Sequence, residues 1–263
     1  MLSDKVVVRG KLDWIEYLRG VACLAVILQH YAAVSSDYFN LGNFGVVLFF
    51  FISGFIVTLV TVRKENESAF SFLCLRIGRL YPAYIFSVLV AIAISSVTHF
   101  SDILKNITML PLFLGGKPLL GVYWTLHVEW VFYFLLALFL FVPGGITIKR
   151  LKFSFVLFCV ITILLGCVRY FLNIKSPVAL TIGMSTILIS AILSIDETKK
   201  GRVIYSSLYF ILIILLSSFL SFSKDWGHGE QPLGFVLSSV AAIVVFFSFK
   251  KNKVVFGGGL LFF

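Results

Sequence analysis

The chain has 263 residues, 60% of them hydrophobic, with a mean hydropathy of +1.04 and a formal net charge of +10. So apolar a chain is not a water-soluble globular protein, and its repeated long apolar runs are not a single signal peptide. Runs of about 20 apolar residues mark membrane-crossing helices, whereas barrel strands alternate over about 10. The expected fold is therefore an all-α, polytopic integral membrane bundle.

Eight spans are predicted, near residues 14–34, 43–62, 81–100, 124–142, 153–172, 177–195, 203–222 and 232–249. The first is "LDWIEYLRGVACLAVILQHY", from Leu12 to Tyr31. It carries Glu16 and Arg19 near one end and His30 near the other, although a charge in hydrocarbon costs roughly 2.5–3.5 kcal/mol on insertion scales. Arg19 and His30 are eleven residues apart, about three helical turns, so they share one face. Glu16, three residues before Arg19, can pair with it. The second span contains "FFFISGF", where Ser53 and Gly54 suit close helix packing.

The stretch "RKENESAFSFLCLRIGRLYP" mixes charge with apolar residues and is expected to lie as a short helix along the interface, with Pro82 opening the third span. Arg76 and Arg79 within it stand at i, i+3. Two guanidinium groups so placed suit a phosphate, or simply flank a span. Between the third and fourth spans, "NITMLPLFLGGKP" is too apolar to float in water and is expected to fold back into the mouth of the bundle. Its "NIT" at Asn106 matches a glycosylation sequon.

The fourth span opens with "WTLHVEWVFYFLLALF". Thr125, Glu129 and Tyr133 follow i, i+4, i+8 spacing and form a polar stripe. Buried Glu129 requires a partner or a proton, and His30, Arg19 and Arg169 are the intramembrane candidates. His127, two residues away, points elsewhere and reads as a surface histidine at the mouth. Cys23, Cys74, Cys159 and Cys167 have neither metal-ligand spacing nor placement for a disulfide and read as small apolar filler. No metal site is expected.

Sixteen lysines and arginines fall in the loops of one side and the termini, and four (Lys105, Lys117, Lys175 and Lys224) in those of the other. The positive-inside rule then places both termini in the cytoplasm, and it accounts for the net charge without a nucleic-acid partner. The chain ends in "KKNKVVFGGGLLFF", as though a further span were beginning, with glycines ill suited to that helix.

Four segments, in order, resemble the acyltransferase 3 family of membrane-bound O-acyltransferases: "EYLRGVACLAVILQH", "FGVVLFFFISGF", "RIGRLYP" and "YWTLHVEWVFY". Val47 stands where many relatives carry an acid, and Thr125 replaces the usual Ser. The resemblance implies a single transmembrane acyltransferase-type domain over 1–263 that lacks the last one or two spans of the family. It further implies a multi-pass protein of the bacterial inner membrane that moves an acetyl group from cytoplasmic acetyl-CoA to a hydroxyl of an envelope or exported glycan, with no permanently bound cofactor. His30 and Glu129 would be catalytic, with His30 acting either as general base or as a transient acyl carrier. Arg19, Arg76 and Arg79 would hold the phosphates of acyl-CoA, and Glu16, Ser53, Trp124 and Tyr133 would support them. The same charges also suit a transporter or channel for a small anion, or an inactive, shortened member of the family.

The charge asymmetry predicts labelling. A cysteine at position 117 or 224 should react with an impermeant maleimide in intact cells, and one at 64 or 199 only after permeabilisation. The reverse pattern would invert the topology.

Overall fold

The computed structural model describes residues 13–31, 35–36, 38–64, 67–94, 100–172, 176–196, 198–221 and 232–252. The described helices are α1 (Asp13–Tyr31), α2 (Leu41–Arg63), α3 (Ala69–Ile94), α4 (Phe100–Ile107), α5 (Trp124–Phe141), α6 (Ile148–Leu172), α7 (Val178–Ile195), α8 (Lys199–Ser221) and α9 (Pro232–Asn252). A two-residue antiparallel ribbon, β1 (Ser35–Ser36) and β2 (Phe39–Asn40), joins α1 to α2. All but α4 are long, and they match the eight predicted spans in order. Six of them are long and apolar enough to cross a membrane: α2, α3, α5, α6, α7 and α9. In α1 the acidic and basic residues lower the hydropathy, and in α8 the apolar stretch runs from Val203 to Ile214. The predicted features at Lys5, Arg9, Lys11, Lys175, Lys224 and Lys253, and the Gly257–Gly259 tract, lie outside the described residues.

The largest departure from expectation is α3. The stretch expected to lie on the interface is continuous with the third span, and Pro82 sits inside one 26-residue helix. A proline in a helix interior lacks its N–H and crowds the carbonyl four residues back. Here that carbonyl belongs to Gly78, beside whose Cα a Cβ would meet nothing within 4 Å. Arg76 and Arg79 therefore stand within a membrane-length helix rather than on a surface one.

Helices α2 and α7 form the centre and are mostly buried, while α3, α6 and α9 present more of their length to the surroundings. Their close approach depends on glycine. A Cβ at Gly54 would run into the Ile187 carbonyl of α7, and one at Gly45 would lie 2.6 Å from the Ala22 carbonyl of α1. Around this centre the ring of Phe246 stacks edge-on against Trp14, Phe51 and Phe55, each at 5.5 Å, and ties α9 to α1 and α2. Val47 is buried in the same core.

Polar locks close both ends. At one, Gln29 Oε1 accepts from the Leu41 N–H (3.1 Å). There also the Asn40 N–H donates to Ser238 Oγ (2.8 Å), and Asn43 Nδ2 donates to the Phe235 carbonyl and to Ser239 Oγ. At the other, Lys152 Nζ lies 2.7 Å from Asp196, whose second oxygen accepts from the N–H and hydroxyl of Thr198. As expected, the segment between α3 and α5 folds back onto the bundle. Tyr84 donates to the Asn106 carbonyl (2.7 Å), Tyr81 donates to the Ile107 carbonyl, and Met109 is buried. Asn106 is fully buried, its Nδ2 donating to the Asp102 and Lys117 carbonyls and its Oδ1 accepting from the Leu119 N–H. So enclosed an amide is closed to glycosylation.

The Lys152–Asp196 pair makes a prediction at the edge of the bundle. Bonds from Lys152 and Thr198 hold the Asp196 carboxyl at a pKa of about 2, below its usual 3.8. A depressed carboxyl contributes stability that is present above its unfolded pKa and lost as pH falls through the folded one. Asp196→Asn should lower the thermal midpoint at pH 7, and the difference from the parent should shrink as pH falls from about 4 to about 2. A difference independent of pH would show that the charge is not what matters.

Candidate active site

Glu129, on α5, is the focus of the polar groups inside the bundle. Its Oε1 accepts from the hydroxyl of Tyr133, one turn along the same helix, at 3.0 Å. It accepts a second, short bond from Ser53 Oγ of α2. Ser53 is delivered there because Gly54, on its other side, lets α2 sit against the α7 backbone. Trp124 stacks on Phe50 of α2 at 6.0 Å and fixes the start of α5. Thr125, first in the predicted stripe, donates instead to the Val122 carbonyl (2.9 Å), so the stripe narrows to Glu129 and Tyr133.

Two arginines, Arg19 and Arg76, lie within electrostatic range of this carboxylate without pairing with it, and Arg79 lies beside them. Arg76 lies over the rings of Phe72 (5.2 Å) and Tyr133 (5.8 Å), and its Nε has no hydrogen-bond partner among the described residues. Arg19 pairs with Glu16 at 2.5 Å, and its guanidinium also feels the charges of Arg79 and Glu129. Arg79 is exposed and lies within electrostatic range of both other arginines. Helices α1, α3 and α5 thus bring Glu16, Arg19, Arg76, Arg79, Glu129 and Tyr133 into one cluster, with Ser53 from α2. Three guanidinium groups against the carboxylates of Glu16 and Glu129 leave one positive charge in excess, which suits a ligand with several anionic oxygens.

His30 stands apart from this cluster. It occupies the last turn of α1, is exposed, and makes no hydrogen bond or ion pair among the described residues. The register explains why. Gly45 of α2 faces Ala22 and Val26 of α1, so Ser53, two turns further along the antiparallel α2, is level with the Arg19 end. Glu129 therefore shares its depth with Arg19, and His30 is roughly 16 Å further along α1 at 1.5 Å per residue. The structure brings Glu129 together with the arginines and not with His30.

His127 differs from the surface residue that the sequence suggests. It is 1% exposed, and neither ring nitrogen has a hydrogen-bond partner of ordinary geometry among the described residues beyond a contact with the Tyr123 backbone. The ring of Phe113 covers it, with centroids 6.2 Å apart. The signal in the sequence was the apolar "LPLFL" run, whose return onto the bundle is what buries the imidazole. The four cysteines are free, and no cluster of metal-ligating side chains occurs among the described residues.

A multi-pass membrane bundle whose interior holds a hydroxyl-bonded carboxylate near a group of arginines is a class that includes membrane-bound acyltransferases. The chain belongs to the acyltransferase 3 family, whose acyltransferase-domain model matches residues 12–262. It is similar to proteins of Staphylococcus aureus strains COL, MSSA476 and MRSA252, each named "Putative O-acetyltransferase". Identity is 25% over 270 residues, covering 87% of this chain and 43% of each relative, so the chain spans less than half the length of those proteins. No solved structure matches it.

The geometry of Glu129 yields a graded prediction. Glu129→Gln keeps an oxygen for Ser53 and Tyr133 to donate to, whereas Glu129→Leu strands both hydroxyls, at about 1–3 kcal/mol for each buried polar group left unpaired. In thermal denaturation of the purified chain in nanodiscs, the Leu variant should melt well below the Gln variant. Equal midpoints would mean that the two hydroxyls find other acceptors.

Proposed function

We propose that this chain carries the transmembrane part of an O-acetyltransferase. Acetyl-CoA on the cytoplasmic side would be the donor, and a hydroxyl of an envelope or exported glycan on the other side the acceptor. The observation that carries the reading is the arginine cluster around Glu129, inside a chain of this family. Arg76 and Arg79 bind the donor's phosphates, and Arg19 extends the positive field along α1. Glu129 is their resident counter-charge. Ser53 and Tyr133 hold it to one side, so that an incoming phosphate meets the free faces of the guanidinium groups.

The acyl arm then runs along α1 toward His30. There the imidazole removes the proton from the acceptor hydroxyl while its oxygen attacks the thioester carbonyl. Collapse of the tetrahedral intermediate forms the ester C–O bond, breaks the C–S bond, and returns the proton from the imidazolium to the departing thiolate. In the alternative sequence the imidazole itself is acylated first and then passes the group to the hydroxyl. Either route needs only acetyl-CoA, the acceptor and the protein's side chains. The reading places the chain in a bacterial inner membrane, with acyl-CoA, the exported carbohydrate and the bilayer as its partners.

The test is acetyl-CoA turnover by membranes containing the chain, scored with a glycan mass shift of one acetyl group. Arg76→Ala and Arg79→Ala should each weaken acetyl-CoA binding by roughly tenfold or more, as for loss of one charge-assisted bond. Lysine should restore only part of that, because the planar fork is lost. His30→Ala should bind the donor normally and transfer nothing. Normal donor binding in both arginine variants, or full transfer by His30→Ala, would sink this assignment.

A further inference from the structure

Helix α5 carries a second face, turned away from Glu129. His127, Trp130 and Phe134 follow i, i+3, i+7 spacing and form one stripe. Trp130 and Phe134 form one wall of an apolar groove of about 230 Å³, with Leu73, Ile77 and Tyr81 of α3 as the other and Thr108 to Leu110 as its cap. The groove opens toward the bilayer, since Phe134 and Ile77 are both exposed large apolar residues. Its lining is apolar apart from Tyr81 and Thr108, whose hydroxyls are bonded to backbone carbonyls, so it suits a hydrocarbon tail.

The upper end of the stripe is not apolar. His127 lies one turn beyond Trp130, past the lining of the groove, and is buried under Phe113; apart from a contact with the Tyr123 backbone, neither ring nitrogen has a hydrogen-bond partner among the described residues. An unpaired buried donor or acceptor costs about 1–3 kcal/mol, so such a group in a native structure requires an explanation. Its cover is anchored below and open above. The Trp130 indole N–H donates to Met109 Sδ at 3.2 Å, whereas Phe113 is 58% exposed. Met109 itself is held at φ 62°, a conformation that non-glycine residues rarely adopt. The covering segment, residues 100–123, carries Lys105 and Lys117 against one acid, Asp102, and so favours an anion at the mouth.

We infer that the α3–α5 groove with His127 at its head is a docking site for a single-chain lipid phosphate that bears the acceptor glycan. The tail lies between Leu73, Ile77 and Trp130. Phe113 moves off the imidazole, and His127 donates to the phosphate oxygen at the head. Because Trp130 also stacks on Tyr133 at 6.0 Å, the docked tail is one side chain away from the Glu129 cluster. The inference rests on the proposed function for the identity of the cargo, but not for the binding itself.

The experiment is photolabelling of the full chain in nanodiscs with a diazirine-tagged polyprenyl phosphate, read by peptide mass spectrometry beside a diazirine-tagged phosphatidylglycerol. The polyprenyl phosphate should label peptides spanning Leu73–Tyr81 and Trp130–Phe134, and a tenfold excess of untagged phosphatidylglycerol should not displace it. Leu73→Trp and Ile77→Trp, which fill the groove, should each abolish that labelling and leave acetyl-CoA binding intact. His127→Phe, which keeps the volume, should reduce it several-fold. Equal labelling by the two lipids would mean bulk bilayer lipid only and would overturn the inference, as would labelling that is indifferent to the tryptophans or to His127→Phe. Specific labelling of a chain that transfers no acetyl group would uphold the docking site and remove the proposed activity alone.

Discussion

The structure is organised by the need to keep one carboxylate inside an apolar bundle. An isolated charge there is expensive, and Glu129 has no lysine or arginine on its own helix to offset it. Compensation comes from three directions at once: a hydroxyl one turn away, a hydroxyl from α2, and guanidinium groups from α1 and α3. Each group must reach the same depth, so the register set by helix contacts and the demands of this one side chain have to agree. The arginines are bound by the same condition. Arg76 lies in a membrane-length helix because Phe72 and Tyr133 offer it aromatic faces and Glu129 offers it a counter-charge.

That convergence is possible only because the backbones approach closely. Gly54 and Gly45 remove the side chains that would hold α2 away from α7 and α1. In a bilayer, lipid tails are as apolar as leucine, and helices associate through packing and hydrogen bonds more than through exclusion of water. The edge-on aromatic stack at Phe246 and the polar locks at Asn40, Asn43 and Asp196 provide those contacts at the periphery. The centre is then free to spend its small residues on proximity.

Much of this is legible in the sequence, and the exceptions have physical causes. Helix positions follow from hydropathy, and the Arg76–Arg79 and Glu129–Tyr133 pairs follow from spacing, whereas the contact of Ser53 with Glu129 does not, because Ser53 reads as a packing residue of another span. Nor does the continuity of α3, because a proline after a polar stretch signals a helix start, and only the fold shows Pro82 inside one helix. The burial of His127 depends on a segment that begins fourteen residues earlier, at Phe113, so no local pattern reveals it. The sequence leaves His30, Arg19 and Arg169 open as partners of Glu129. Helical periodicity states which face a residue occupies and nothing about its depth relative to another helix. Depth is set by where two helices touch, here at Gly45 against Ala22 and Val26.

This register separates the two halves of the proposed chemistry. The cluster that can hold an anion lies level with Arg19, and the one exposed imidazole of α1 lies about three turns beyond it. A compact substrate cannot touch both. Only an extended molecule, charged at one end and reactive at the other, makes use of a stripe that starts with guanidinium and ends with imidazole. An anion channel makes the opposite demand, since a small ion needs successive stations at short intervals. Between Arg19 and His30 the same face of α1 offers Cys23 and Val26, neither of which can hold an anion. The spacing of the first helix therefore favours transfer along a long arm over passage of a small ion.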